Sequence, residues 1–397
     1  MQLSPTGPRP RVLHVTQPVD GGVARVVLDL VRAQLAAGTD VTVACPPGGG
    51  LAAAAEALGC GVRPWHATRS PGPWLGREVR SLRQVVREVR PDLVHAHSAK
   101  AGLATRLAVR GRVPTVFQPH AWSFEAVGGI TGALALNWER WGARWAARMV
   151  CVSEAERRTG QRAGIGGRFG VIPNGVDPER FHPASVDTVR AGIPLLEGVE
   201  PAAPLVVCVG RLCRQKGQDV LIEAWAEVLR RVPEARLVLV GDGPDASALR
   251  ASAPGAVLFA GAAADAVPWY QAADLVVLPS RWEGMALAPL EAMACGRPVV
   301  ITDVDGARES LPPGQAPRCL VPPERPDALA EAVAELLLDP LLRESLGHQG
   351  RRYVLTTHDV RHTAEAVADL YRELLGTRPA TRSTGVEPTE CRESIHT

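Results

Sequence analysis

Pro279-Ser280-Arg281-Trp282-Glu283-Gly284-Met285-Ala286-Leu287-Ala288-Pro289-Leu290-Glu291-Ala292-Met293-Ala294-Cys295-Gly296 follows an apolar, strand-like run, Leu275-Val276-Val277-Leu278. It then opens a helix expected over Ala286 to Cys295, which Gly296 stops. Two carboxylates stand eight positions apart, Glu283 before the helix and Glu291 inside it. Two helical turns rise roughly 11 Å, so the pair can grip two ends of one extended ligand. The unpaired N–H groups of the helix start favour an anion between them. A sugar joined to a nucleotide through a diphosphate suits that arrangement.

The same alternation runs outward in both directions. Toward the N-terminus, strands are expected at Val12–Thr16, Val41–Cys45, Leu93–His97, Thr115–Phe117 and Met149–Val152. Between them, Val23, Val26, Val27, Leu30, Val31 and Leu35 mark one helical face, Trp74 to Arg90 a second helix, and Asn137 to Arg148 a third. His182 to Ala203 holds three prolines and little periodicity and reads as a connection. A second series follows: Leu205–Val209, a helix Val220–Arg231, Leu237–Val240, Val257–Phe259, the strand before Glu283, and Val299–Ile301. Late helices are expected at Ala328–Leu338 and His362–Leu375, and the polar residues beyond read as a loose tail. Such βα alternation implies an α/β protein whose parallel sheets are covered on both faces.

Composition agrees with two domains. A chain of 397 residues is long for one, and 46% hydrophobic residues can fill two cores. The net charge of +2 gives no global field toward nucleic acid. No apolar run approaches the roughly 20 residues of a membrane span, and no signal-peptide core precedes the first strand. Eight cysteines lie without paired spacing, as reduced residues would in a cytoplasmic protein. Of 44 basic residues only Lys100 and Lys216 are lysines, a bias that suggests a GC-rich genome such as an actinomycete's. Lysine and arginine are not interchangeable, so Lys216, next to Gly217, is informative.

Four segments in order carry a family resemblance: Ile172-Pro173-Asn174-Gly175-Val176-Asp177, Val209-Gly210-Arg211-Leu212 with Gln215-Lys216-Gly217, Val240-Gly241-Asp242-Gly243-Pro244, and the Glu283 to Glu291 stretch. Together they resemble the retaining glycosyltransferases of family 4, with their E-x7-E signature and GT-B fold. The resemblance implies two Rossmann-like β/α/β domains facing a deep cleft. It places an acceptor-binding domain at 1–182, a linker at 183–203 and a nucleotide-sugar domain at 204–358. A helix at 359–375 would cross back to the first domain, and 376–397 would be tail. It also implies that Arg211 and Lys216 neutralise the leaving diphosphate in place of a metal, that Glu291 takes the ribose hydroxyls, and that Glu283 faces the transferred sugar. Gly22, Gly241, Gly243, Gly284, Met285, Ala286 and Leu287 complete the expected donor contacts. Ala286 stands where the family often has glycine, and Met285 where it often has an aromatic residue. His120 resembles the family's N-domain histidine, able to bond the donor sugar or support the acceptor.

Acceptor-side expectations are Gly21, His97, Lys100 and Trp122. His95-Ala96-His97 lacks a matching third ligand in the sequence, so no metal is expected. No cofactor is expected either. Trp138, Trp141 and Trp145 at helical spacing read as a core stripe, with Arg140, Arg144 and Arg148 solvated on another face, rather than as a membrane surface. No residue is an obvious nucleophile, so the retaining outcome comes from the resemblance alone. A dinucleotide oxidoreductase is rejected, because Asp20-Gly21-Gly22-Val23 is not G-x-G-x-x-G and Cys45-Pro46 supplies no acid. A sugar-nucleotide epimerase stays open as an alternative; a silent binding protein fits poorly with intact charged motifs. The expected reaction moves a hexosyl or amino-hexosyl unit, from a UDP-sugar on family frequency, to a hydroxylated small polar acceptor. An aminocyclitol in antibiotic assembly is one such acceptor. A lipid-linked acceptor in envelope or exopolysaccharide assembly is the other reading.

Overall fold

The computed structural model describes residues 9–376. Two parallel sheets form, each from its own half of the chain. In the first half the elements run β1 (Arg11–Thr16), α1 (Gly21–Ala36), β2 (Asp40–Cys45), α2 (Gly50–Ala57), β3 (Gly61–Pro64), α3 (Leu75–Val89), β4 (Leu93–His97), α4 (Ala99–Val109), β5 (Thr115–Gln118), α5 (Gly129–Gly142), β6 (Arg148–Cys151), α6 (Glu154–Arg162) and β7 (Phe169–Val171). After α7 (Val186–Ala191) the second half runs β8 (Leu205–Val209), α8 (Gln218–Arg231), β9 (Arg236–Val240), α9 (Ala246–Ser252), β10 (Val257–Gly261), α10 (Val267–Ala272), β11 (Leu275–Leu278), α11 (Leu287–Ala294), β12 (Val299–Thr302), α12 (Ala307–Ser310), α13 (Ala316–Cys319), β13 (Leu320–Val321) and α14 (Pro326–Leu338). Two helices close the described chain, α15 (Pro340–Thr357) and α16 (Val360–Leu374).

The strand orders are β3-β2-β1-β4-β5-β6-β7 and β10-β9-β8-β11-β12-β13. Central strands such as β8 (LVVCV) and β11 (LVVL) are apolar along their whole length because helices cover both faces of each sheet. Each order reverses once, between β1 and β4 and between β8 and β11, and ligands of open α/β sheets bind beyond the carboxyl ends at such switch points. The two-sheet α/β architecture read from the alternation is therefore present.

Several local expectations differ. The helix placed over 137–148 begins at Gly129 and ends at Gly142, where a 3-10 turn, Ala143–Trp145, leads into β6. Its start was hidden because glycines rather than a capping side chain open it. The aperiodic segment 183–203 contains α7, held by the Arg190 guanidinium, which donates to Asp274 at 2.7 Å. The eighteen-residue α15 went unread because its apolar positions are few. From the last elements α16 returns to pack on α1, and Tyr371 meets His95 at 2.6 Å. Of the expected tail, residues 377–397 lie outside the described residues. All seven described cysteines are free thiols. Among the described residues no helix is long and apolar enough to cross a membrane.

Candidate active site

The second switch point gathers the charged motifs. The turn after β8 carries Arg211 and Lys216; the loop after β11 carries Glu283. Lys216 Nζ donates to Glu283 Oε1 at 2.5 Å, and Ser280 Oγ donates to the same oxygen at 2.8 Å. Gln215 fastens the two loops by donating to the Trp282 carbonyl at 3.1 Å. Arg211 is exposed, and no ion pair ties it among the described residues. The turn after β9 is seated on this framework. A Cβ at Gly241, whose φ is +143°, would lie 2.0 Å from the Gly210 carbonyl oxygen, so only glycine fits. Gly243 packs as closely on the Leu212 carbonyl.

Past Glu283 the chain crosses to the first domain. A Cβ at Gly284 would meet Val152 Cγ2 at 2.8 Å, Glu156 Oε1 at 2.9 Å and the His120 carbonyl carbon at 3.0 Å. Ser153 Oγ donates to the Gly284 carbonyl, and Asn174 Nδ2 to that of Met285 at 2.7 Å. Met285 and Leu287 are buried, and α11 begins after Ala286 with no side-chain cap, which leaves its first N–H groups for a ligand. Within α11, Glu291 accepts from the Tyr270 hydroxyl at 2.7 Å; burial raises its pKa despite that bond. Beside it lies a small pocket lined by Arg25, Asp29, Arg180, Phe181, Leu287 and Glu291. The sequence reading missed Arg25, Arg180 and Tyr270. Arg25 had a usable signal, one helical turn after Gly21.

On the first domain's side, Gly21 and Gly22 are exposed at the start of α1, and a Cβ at Gly22 would lie 3.7 Å from Leu287 Cδ1 across the cleft. His120 follows β5 with φ +59°, and Ala121 with φ +135°, both unusual for residues bearing a Cβ. Three acceptor-side expectations are corrected. Lys100 is 3% exposed and its ammonium is fixed on Glu78 at 2.6 Å, so it stabilises the α3–α4 contact instead of a ligand. Trp122 is 1% exposed and donates to the Glu156 carbonyl from within a core with Phe117 and Met149. His97 is fully buried behind His120 and bonds it at 3.2 Å. The absence of a third histidine also fails: His14 on β1 joins His95 and His97, with ring nitrogens within 4.8 Å of one another. Burial, with the Asp305 charge nearby, pushes Glu125 up to about 7; burial, with the charges of Glu125 and Asp305 adding to it, pushes Glu156 up to about 8. The tryptophan stripe is only partly core, since Trp141 is 43% exposed.

Comparison with known proteins follows the two halves. Residues 20–180 match the family described as Glycosyltransferase Family 4, and residues 203–339 match Glycosyl transferases group 1. A GDP-mannose-dependent monoacylated alpha-(1-6)-phosphatidylinositol monomannoside mannosyltransferase of Corynebacterium glutamicum is 36% identical over 198 residues, 47% of this chain and 51% of that protein. The chain thus spans about half the length of that relative. The alpha-maltose-1-phosphate synthase of Mycobacterium tuberculosis is 32% identical over 313 residues, 71% of this chain and 79% of that protein. Among solved structures, Anabaena HepE in complex with UDP and glucose superposes with a TM-score of 0.78 at 24% identity, covering 92% of this chain and 100% of that one. That likeness concerns the fold alone.

Proposed function

The chain belongs to the glycosyltransferases of family 4, and from that premise we propose that it moves a hexosyl or amino-hexosyl unit from a UDP-sugar to a hydroxyl of a small polar acceptor. The observation that carries this reading is the meeting of Lys216 and Glu283 at 2.5 Å, at the switch point of the second sheet. In this reading Lys216 and Arg211 hold the diphosphate, Glu283 faces the sugar, and Glu291 holds the ribose hydroxyls, as the E-x7-E pattern implies. Gly241, Gly243 and the backbone from Gly284 to Leu287 shape the donor pocket, with Gly22 opposite. Fixed cations and helix N–H groups act without reorganisation on charge developing at the departing phosphate, so no metal is required.

The chemistry proposed is front-face substitution. The anomeric C–O(phosphate) bond breaks while the acceptor oxygen bonds the same face. The acceptor's proton passes to the leaving phosphate oxygen, and the anomeric configuration is retained. His120 hydrogen-bonds a hydroxyl in the cleft. A second acceptor class has its own observation: Ile130 (82%), Leu134 (65%) and Trp141 (43%) are exposed on α5, with Arg140 and Arg144 alongside, a surface that fits a lipid-linked acceptor. The Corynebacterium relative, named for a phosphatidylinositol mannoside and GDP-mannose, supports testing that acceptor and a guanine donor. The test is a donor-by-acceptor screen read by mass spectrometry, with product anomers assigned by NMR. Inverted product would remove the mechanism. Donor conversion without any acceptor would favour an epimerase.

A further inference from the structure

Buried imidazoles run in a line from the interior of the first sheet to the cleft. His14 Nε2 lies 2.8 Å from Gln34 Oε1, His14 Nδ1 2.9 Å from His97 Nε2, and His97 Nδ1 3.2 Å from His120 Nε2. The topology builds this line. His14 and His97 sit on β1 and β4, the two strands that flank the switch point, where Thr16 pairs with His97 and His14 with His95. Gln34 reaches down from α1, and His120 lies just past β5. His14 and His97 are fully enclosed and Gln34 nearly so, at 7% exposure, so water cannot take the place of a partner. The outer end touches the donor loop, because the His120 carbonyl carbon abuts Gly284.

A neutral imidazole has one N–H and one lone pair, so fixing one end of such a line fixes every ring. Burial lowers the pKa of His14 to about 4 and drives those of His97 and His120 well down, which makes all three neutral at pH 7. The Gln34 amide oxygen only accepts. His14 therefore carries its proton on Nε2 and accepts at Nδ1. His97 then donates from Nε2 and accepts at Nδ1. His120 donates from Nε2 and keeps its lone pair on Nδ1, a nitrogen with no hydrogen-bond partner among the described residues.

We propose that Gln34, His14 and His97 are positioning residues that lock His120 in the Nε2–H tautomer, leaving Nδ1 as an acceptor for a substrate hydroxyl. Only the final clause rests on the transferase reading; the lock itself does not. The competing use of the cluster, a metal held by His14, His95 and His97, would break the His14–His97 bond. It would also enclose a divalent charge with no carboxylate in the group.

The experiment is long-range ¹⁵N–¹H NMR of the ten ¹⁵N-labelled histidines in the ligand-free full chain at neutral pH, which reads each ring's tautomer. His14, His97 and His120 are expected as Nε2–H. Gln34→Met is expected to give a mixed His120 tautomer and, with a working donor–acceptor pair, a kcat about fivefold lower at unchanged donor KM, as the ring divides between its two neutral forms. Gln34→Glu keeps an accepting oxygen and is expected to restore both. An Nδ1–H signal on His120 of the native protein, or an unaltered His120 in Gln34→Met, would overturn the proposal; so would stoichiometric metal in the purified chain. The native spectrum decides even if Gln34→Met fails to fold. A locked tautomer in a protein that transfers no sugar would sink the proposed function and leave the lock standing.

Discussion

Lys216→Met is the change on which the diphosphate reading should be judged. In the ligand-free site Lys216 Nζ sits 2.5 Å from Glu283 Oε1, with side chains 20% and 10% exposed. A hydrogen bond to a charged group is worth about 1.5–3 kcal/mol, which corresponds to nucleoside diphosphate binding weakened roughly 10- to 150-fold. More negative charge gathers on the phosphate as the sugar departs, so kcat should fall further, by about 100- to 1,000-fold, as for other fixed donors aimed at developing charge. Stability should change little, by about 1 kcal/mol or less, because the pair is partly solvated. Ser280 also continues to donate to Glu283 at 2.8 Å. Lys216→Arg keeps the charge but not the compact geometry, and should fall between the two. Calorimetric titration with UDP and GDP, initial rates and thermal melting separate these effects. A Lys216→Met protein within twofold of native in both nucleotide affinity and kcat/KM would refute the reasoning.

Other consequences can be measured independently. Arg106 and Glu139 form an enclosed ion pair at 2.8 Å, with side chains 0% and 1% exposed. Arg106→Met should therefore cost about 3–5 kcal/mol in urea unfolding by stranding the carboxylate, and adding Glu139→Leu should recover much of it. Glu156, pushed up to about 8 by burial, has a folded pKa above its unfolded value near 4.5, so its contribution is fully present below the unfolded pKa and is lost as pH rises through 8. Native melting temperature should decline from pH 6 to 9 and that of Glu156→Gln should decline less; parallel curves would remove Glu156 as the cause. Gly241→Ala puts a Cβ 2.0 Å from the Gly210 carbonyl at φ +143°, and should cost about 2 kcal/mol or more and weaken nucleotide binding, read by chemical unfolding and titration.

Much of the frame was legible because it is written locally. The apolar runs of β8 and β11 are as long as the strands they form, and the glycines at 217, 241 and 243 mark turns where only backbone fits. The order of charged motifs along the chain then says which strand ends carry chemistry. Residues whose meaning depends on burial were not legible. Lys100 and Trp122 are chemically able to meet a ligand, and only packing shows one fixed on Glu78 and the other closed in a core.

By itself, then, the sequence determined two parallel α/β units, the loops at their strand ends and the residue types those loops offer, since propensity, period and turn chemistry act over a few residues. Tertiary structure alone decided which distant groups share a site. Strand order brings positions 14, 97 and 120 into one hydrogen-bonded line, and the chain crossing at Gly284 sets the outer end of that line against the loop that carries Glu283. Proximity of that kind follows from how a sheet is ordered and covered, which no short stretch of chain encodes.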